Sequence, residues 1–291
     1  MIHLKKLSII PWQSAFLFLS FGLLSLLIAK VNANELNDDF LFKIKTKSID
    51  SPTLNRQQKI SIYLPDGYDH SSKKYPVVYV LDSEFLFSTA VNTTQVRSSR
   101  GSMPQSIVVG LTTTRSASRL SLAMPQKRNK EVENIVFSKS KPEQFLRFMT
   151  EELMPFIESN YRTASHSTLI GMSPTVGVLL IDFFKDKPIF NAHVALAADP
   201  QSFTVNGTLI ATKILQRIKK NKNTHLYISR GELDVIRNKD LKEVFSYLNK
   251  EIKQQKVETF LMAEIIKGGE HYEMSLEGIN NAFRHIYPET V

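Results

Sequence analysis

From residue 59 onward, short apolar runs alternate with longer stretches of helical spacing. The run "KISIYLPDGYD" (59–69) alternates apolar and polar positions and stops at Pro65, Asp66 and Gly67, which predicts a strand ending in a turn. In "YPVVYVLDSEF" (75–85) the continuous run 77–81 suits a central parallel strand, followed by polar Asp82, Ser83 and Glu84. A third buried strand is predicted in "QSIVVGL" (105–111), again followed by polar residues, "TTTR". All three strands are expected to deliver polar groups to one edge of the sheet.

Residues 112–140 are rich in Ser, Thr and Arg with little period, which predicts a loop or lid over that edge. An amphipathic helix opens at Lys141, Pro142 and Glu143, with Phe145, Phe148, Met149, Leu153, Phe156 and Ile157 near helical spacing. Pro155 should kink or divide it. "HSTLIG" predicts the next strand, "TVGVLLIDFF" a helix, and "AHVALAAD" (192–199) a strand. "HLYISRGELD" (225–234) is a strand running into a turn, "DLKEVFSYLNKEIKQQ" (240–255) a helix, and "VETFLMAEII" (257–266) the last strand. "GGEHYEMSLEGINNAFRHIY" closes the chain as a loop and a helix. This alternation predicts an α/β fold with a mainly parallel sheet and helices on both faces. Ligands then bind beyond the carboxyl ends of the strands, so the polar residues that follow strands are the candidates for chemistry.

The first 33 residues differ from the rest. Lys5 and Lys6 precede an apolar run over 15–29, and Val31, Asn32 and Ala33 fit a small-x-small cleavage site. That run is short for a bilayer span, so residues 1–33 are expected to be a signal peptide, with an uncleaved N-terminal anchor as the alternative, and 34–291 a single domain that is periplasmic or secreted. Loss of Lys5, Lys6 and Lys30 takes the net charge from +9 to +6. The excess is densest in "QRIKKNKN" (216–223), without interleaved aromatics, which suits a solvated helix end better than a nucleic-acid site. With no cysteine there are no disulfides, thiolate metal sites or cysteine nucleophiles, and stability must come from the core.

Three strand ends supply, in chain order, Ser173, an acid (Asp234 or Glu232) and His271. Serine, acid, histidine is the α/β-hydrolase order. There the acid orients the imidazole, the imidazole takes the serine proton, and the oxygen attacks an ester carbonyl to form an acyl-enzyme. Ser173 followed by Pro174 is also a good helix start, with serine as N-cap and proline in the first turn. His166 and His193 lie before or within strands and are expected to be structural. Asp199 is a further acid at a strand end.

At these residues the chain resembles the esterase family of α/β-hydrolases that includes S-formylglutathione hydrolase and the ferric-enterobactin esterases. "IYLPDGYDHSSKKYPVVYVLDSEF" and "SIVVGLTTTR" look like the family's opening strands, and "FLRFMTEELMPFIESNYRT" like the helix before the nucleophile elbow. "STLIGMSPT" stands where the elbow lies, and "GGEHYEMSLEGINNAF" looks like the histidine loop and final helix. The resemblance implies an α/β-hydrolase fold with Ser173 as nucleophile and His271 as base. It selects Asp234, a few residues past Gly231, as the acid.

Two positions depart from the elbow pattern Gly-x-Ser-x-Gly. Pro174 has no N–H to offer the oxyanion, and Thr175 replaces the second glycine. The remaining oxyanion donors are expected at Ser83 and Glu84, with Thr175 a possible substitute. The expected activity is hydrolysis of a small-molecule carboxylic ester without cofactor or metal. The alternatives are a weak or inactive homologue binding an ester-like ligand or partner, and an exported acyltransferase using the same serine. Loops at 85–140 and 199–210 would shape the pocket, and Arg97, Arg100, Arg115 and Arg119 suggest an anionic or siderophore-like substrate.

Overall fold

Eight strands form one sheet in the order β1-β2-β4-β3-β5-β6-β7-β8 in the computed structural model, which describes residues 44–112, 142–198, 207–234 and 238–288. The predicted signal peptide, all of the predicted lid except Thr112, and Arg115, Arg119 and Asp199 lie outside these residues. The strands are β1 (Ile44–Ser51), β2 (Arg56–Tyr63), β3 (Tyr75–Val80), β4 (Ile107–Leu111), β5 (Thr163–Met172), β6 (Ala192–Leu196), β7 (His225–Gly231) and β8 (Leu261–Ile266). β3 to β8 pair in parallel, while β2 runs antiparallel to both β1 and β4. The predicted mainly parallel α/β sheet is therefore present.

The antiparallel β2 corrects one expectation. Its Pro65–Gly67 end lies at the opposite sheet edge from the carboxyl ends of β3 and β4, and Asp66 is held there by Gln95 and Gln105. β1 went unpredicted because it is an edge strand whose residues are mostly exposed, with no apolar face to mark it.

The helices are α1 (Ser83–Ser99), α2 (Pro142–Phe148), α3 (Met154–Asn160), α4 (Val176–Phe183), α5 (Gly207–Lys220), α6 (Asn238–Gln255) and α7 (Met274–Ile286). α1 was expected to be pocket-lining loop. Its buried positions, Leu86, Phe87, Ala90, Val91, Thr94 and Arg97, keep helical spacing, but two of them are polar. Between α2 and α3, residues Met149–Leu153 form a π-helical turn directly before Pro155, where the ring removes an intrahelical donor. α5 ends at Lys220, and Lys219, Lys220 and Lys222 of the basic cluster are exposed at that helix end, whereas Arg217 is buried.

Pleat alternation shows helices on both faces of the sheet. On β6, His193 meets Phe183 of α4 ring to ring, while Leu196, three residues on and therefore facing the other way, lies where a Cβ on Gly278 of α7 would press. His193 is structural, as expected. Its Nε2 lies 2.9 Å from Asp182 Oδ2, and that fully buried carboxylate also accepts the N–H groups of Ile189 and Phe190. Arg217 of α5 donates to the carbonyls of Phe183 and Lys185 and so satisfies the end of α4.

Three histidines at the far edge set an acid limit on stability. His166, His225 and His285 are partly buried, with the His225 and His285 ring centroids 6.1 Å apart. Desolvation, and then repulsion from His225, pushes His285 down to about 4, and desolvation also lowers His166 and His225. The unfolded chain therefore binds more protons than the folded one between the ordinary histidine range and pH 4. Stability should be fully present above about pH 6.5 and fall by about 3 kcal/mol as pH drops toward 4 from His285 alone. Urea midpoints at pH 7 and pH 4.5 check this, and His285→Gln should flatten the slope.

Candidate active site

Serine 173 sits at the bend where β5 gives way to α4, through a single 3-10 turn Ser173–Thr175. Its φ is 55°, a left-handed conformation that costs a non-glycine residue energy and is concentrated at functional sites. Among the described residues, three of the five non-glycine residues with positive φ are Asp82, Ser173 and Ala197, at or just past the carboxyl ends of adjacent strands β3, β5 and β6. Ser173 is not the cap of the turn: the extended residue before it is Met172 (φ −134°, ψ 140°), whose N–H donates to the Thr175 hydroxyl. The bend instead turns the serine outward, half-buried, at the head of an apolar helix.

The two acids offered by the sequence separate cleanly. Asp234 Oδ2 lies 2.7 Å from His271 Nδ1. An ionised carboxylate can only accept, so Nδ1 carries a proton, and in the neutral imidazole the lone pair is then on Nε2. Arg230, on β7, donates through Nη2 to the Asp234 carbonyl at 3.0 Å and lies 3.5 Å from Oδ1. Arg230 and Asp234 are 3% and 2% exposed, so this is a buried charge array and not a solvated turn. Glu232 is directed elsewhere, its Oε2 accepting the Gly268 N–H at 3.0 Å.

Backbone approach makes the Asp234–His271 pair possible. Leu233 N–H donates to the Gly269 carbonyl, and a Cβ on Gly231 would collide with that oxygen and lie 2.8 Å from the carbonyl carbon. Only glycine lets the end of β7 sit against the turn that carries His271.

The expectation that Thr175 could replace the lost donor through its hydroxyl or its N–H is corrected for the hydroxyl. Its hydroxyl is buried, donates to Asp82 Oδ2 at 2.6 Å and accepts the Met172 N–H at 2.8 Å, so it has no proton to give an oxyanion. Gly171 makes room for it, since a Cβ there would lie 2.8 Å from Thr175 Oγ1 and 2.7 Å from Leu179. Asp82, to which the sequence reading gave no role, thus ties the elbow to the start of α1. Its own carbonyl accepts the N–H groups of Phe85 and Leu86, and the neighbouring Leu81 N–H donates to Ile170 on β5. Its signal was its place as the first polar residue after an apolar run. Thr175→Val should destabilise the fold by about 2 kcal/mol, because a buried carboxylate and a backbone N–H both lose a partner. Thr175→Ser should restore most of that in thermal melts, and kcat should follow the same order.

Ser83 and Glu84 open α1, where the first N–H groups have no intrahelical acceptor and the helix dipole favours negative charge. Ser83 Oγ lies 3.3 Å from Thr112 Oγ1, a second hydroxyl at the end of β4 that the sequence reading did not single out. Arg97 and Arg100 are not with them. They lie at the other end of α1, about 20 Å away by helical rise, and Arg97 is spent on the Ser102 carbonyl. Among the described residues no cluster of His, Asp and Glu could hold a metal ion, and no helix is long and apolar enough to cross a membrane.

Residues 51–271 match the family described as "Putative esterase". The chain belongs to this esterase family. Its match covers every residue of the site from Asp82 to His271, and it makes the protein a carboxylic ester hydrolase. An IroE-like serine hydrolase from Shewanella oneidensis shares 25% identity with a TM-score of 0.66, over 84% of this esterase and 80% of that chain. At the level of fold alone, it is similar to the siderophore hydrolase EstA from Aspergillus nidulans (16% identity, TM-score 0.66, 86% and 96% covered). The same holds for an S-formylglutathione hydrolase from Agrobacterium tumefaciens (17%, 0.55, 86% and 96%). No curated protein matches the esterase at a significant level.

Proposed function

We propose that this esterase cleaves its substrate through a Ser173–His271–Asp234 triad and an acyl-enzyme, with an oxyanion hole altered by Pro174. The observation that carries this is the 2.7 Å contact between His271 Nδ1 and the buried Asp234, together with a strained serine at the end of β5. His271 Nε2 takes the Ser173 proton as Oγ attacks the carbonyl carbon, and returns it to the leaving alcohol. A water then repeats the cycle on the acyl-enzyme. Arg230 holds Asp234 in place through its carbonyl and lies 3.5 Å from Oδ1, so the carboxylate stays aimed at His271 through the cycle.

The oxyanion is met by the N–H groups of Ser83 and Glu84 and by the Ser83 hydroxyl, whereas Pro174 contributes nothing. One missing donor costs a factor of about a hundred to a thousand in turnover. Pro174→Leu supplies that donor and should raise kcat on short-chain aryl esters about a hundredfold. A wild type that is already fast and is not improved by this change has another group in the proline's place. If both proteins stay at background, the second reading holds, in which the homologue binds an ester-like ligand without turnover; Pro174 is the feature that favours it.

Siderophore esters are one candidate substrate, because solved structures of the same fold include siderophore hydrolases. Residues 1–33 are read as an export signal that leaves a periplasmic or secreted enzyme beginning at Asn34. N-terminal sequencing of the protein recovered from cells checks that boundary.

A further inference from the structure

An aromatic wall stands beside the catalytic histidine. Tyr272 leaves 52% of its surface in solvent and meets the His271 ring edge to face, with centroids 5.1 Å apart and planes at 86°. The Phe85 ring lies 5.4 Å from that of Tyr272, tilted by 37°. Phe85 directly follows Ser83 and Glu84 at the start of α1, so the pair bridges the proposed oxyanion donors and the histidine loop. Leu276, one turn beyond Tyr272 and 62% exposed, extends the same apolar character into α7. An exposed Tyr272 ring backed by the half-buried Phe85 ring is a surface that can hold a ligand's flat apolar part.

Which part of the ester lies there follows from proton delivery. The imidazole hands its proton to the departing alcohol oxygen, so the group bonded to that oxygen lies against the neighbours of the imidazole. Those neighbours are Tyr272 and, through it, Phe85. Glu84, Glu270 and Glu273 adjoin these residues in sequence and are exposed, which disfavours a negative charge on the alcohol. We propose that Phe85 and Tyr272 form the leaving-group subsite and select esters whose alcohol carries an uncharged aryl group. This rests on the assignment of His271 as the proton donor to the leaving group.

The test compares 2-phenylethyl acetate with butyl acetate, which share an acyl group and have alcohols of similar acidity, so that intrinsic reactivity cancels in the ratio of kcat/KM. The wild type should favour the aryl ester about tenfold. Tyr272→Ala and Phe85→Ala should bring the ratio near one, and Tyr272→Phe should keep it. Because the ratio is taken within each variant, disturbance of His271 does not mimic the effect. A wild-type ratio near one, or a ratio unchanged in both alanine variants, overturns the proposal. A second arm titrates the Ser173→Ala protein with 2-phenylethanol and with 1-butanol by NMR. The aryl alcohol should bind several-fold tighter, and Tyr272→Ala added to Ser173→Ala should remove the difference; equal binding of the two alcohols overturns the subsite. If the wild type turns over neither ester, the alcohol titration decides the subsite, and fluorophosphonate labelling of Ser173 decides the catalytic reading separately.

Discussion

Asp234→Asn should lower kcat by about four orders of magnitude while leaving a folded protein. The carboxylate accepts the Nδ1 proton of His271 at 2.7 Å, and in the proposed mechanism this orients the neutral imidazole so that Nε2 receives the serine proton. An amide at the same place can donate to Nδ1 and so stabilise the tautomer in which Nε2 is already protonated, and a base that is already protonated cannot take the Ser173 proton. The substitution also leaves Arg230, 3% exposed, against a neutral partner, so a stability loss of about 3 kcal/mol accompanies it. Circular dichroism and a thermal melt separate that loss from the kinetic one. Glu232→Gln is the control: its half-buried carboxylate accepts the Gly268 N–H and makes no hydrogen bond to His271, whose Nδ1 is taken by Asp234, so kcat should stay within about twofold. Equal losses in the two variants would contradict the choice of Asp234.

Ser173→Ala should take ester hydrolysis down to the level of the uncatalysed reaction, a loss on the order of a millionfold if the three residues act as a unit. Its effect on stability should be small, because alanine is no better suited than serine to a φ of 55°. Ser173→Gly should be as inactive as the alanine variant and yet more stable by about 1 kcal/mol, since glycine adopts that conformation without cost. The pair of variants thus measures, in one site, both the chemistry of the hydroxyl and the strain that presents it. A Ser173→Gly protein no more stable than wild type would mean that the bend is not strained.

The parallel strands were legible because both of their faces are buried. Runs such as "VVYVL" and "IVVGL" admit few other interpretations once flanked by turn residues. Strand direction is not written in such runs, which is why the Pro65 turn was assigned to the wrong edge. α1 was hidden because Thr94 and Arg97 occupy inward positions where an apolar residue would have completed the stripe. In the site, the chain order of Ser173, an acid and His271 is visible in the sequence, but not which acid pairs with His271. Both Glu232 and Asp234 follow Gly231 closely, and the decision lies in how the β7 end packs on Gly269. Thr175 looked like a spare donor because its partner, Asp82, is 93 residues away in sequence.

A fluorophosphonate probe, followed by peptide mass spectrometry, tests the assignment of Ser173 as nucleophile most directly, since it requires only an activated serine and no knowledge of the natural ester. Wild-type protein should carry one adduct, on Ser173, which is absent in Ser173→Ala and strongly slowed in His271→Gln. A folded wild-type protein that stays unlabelled, or one whose adduct maps to another serine, would contradict it.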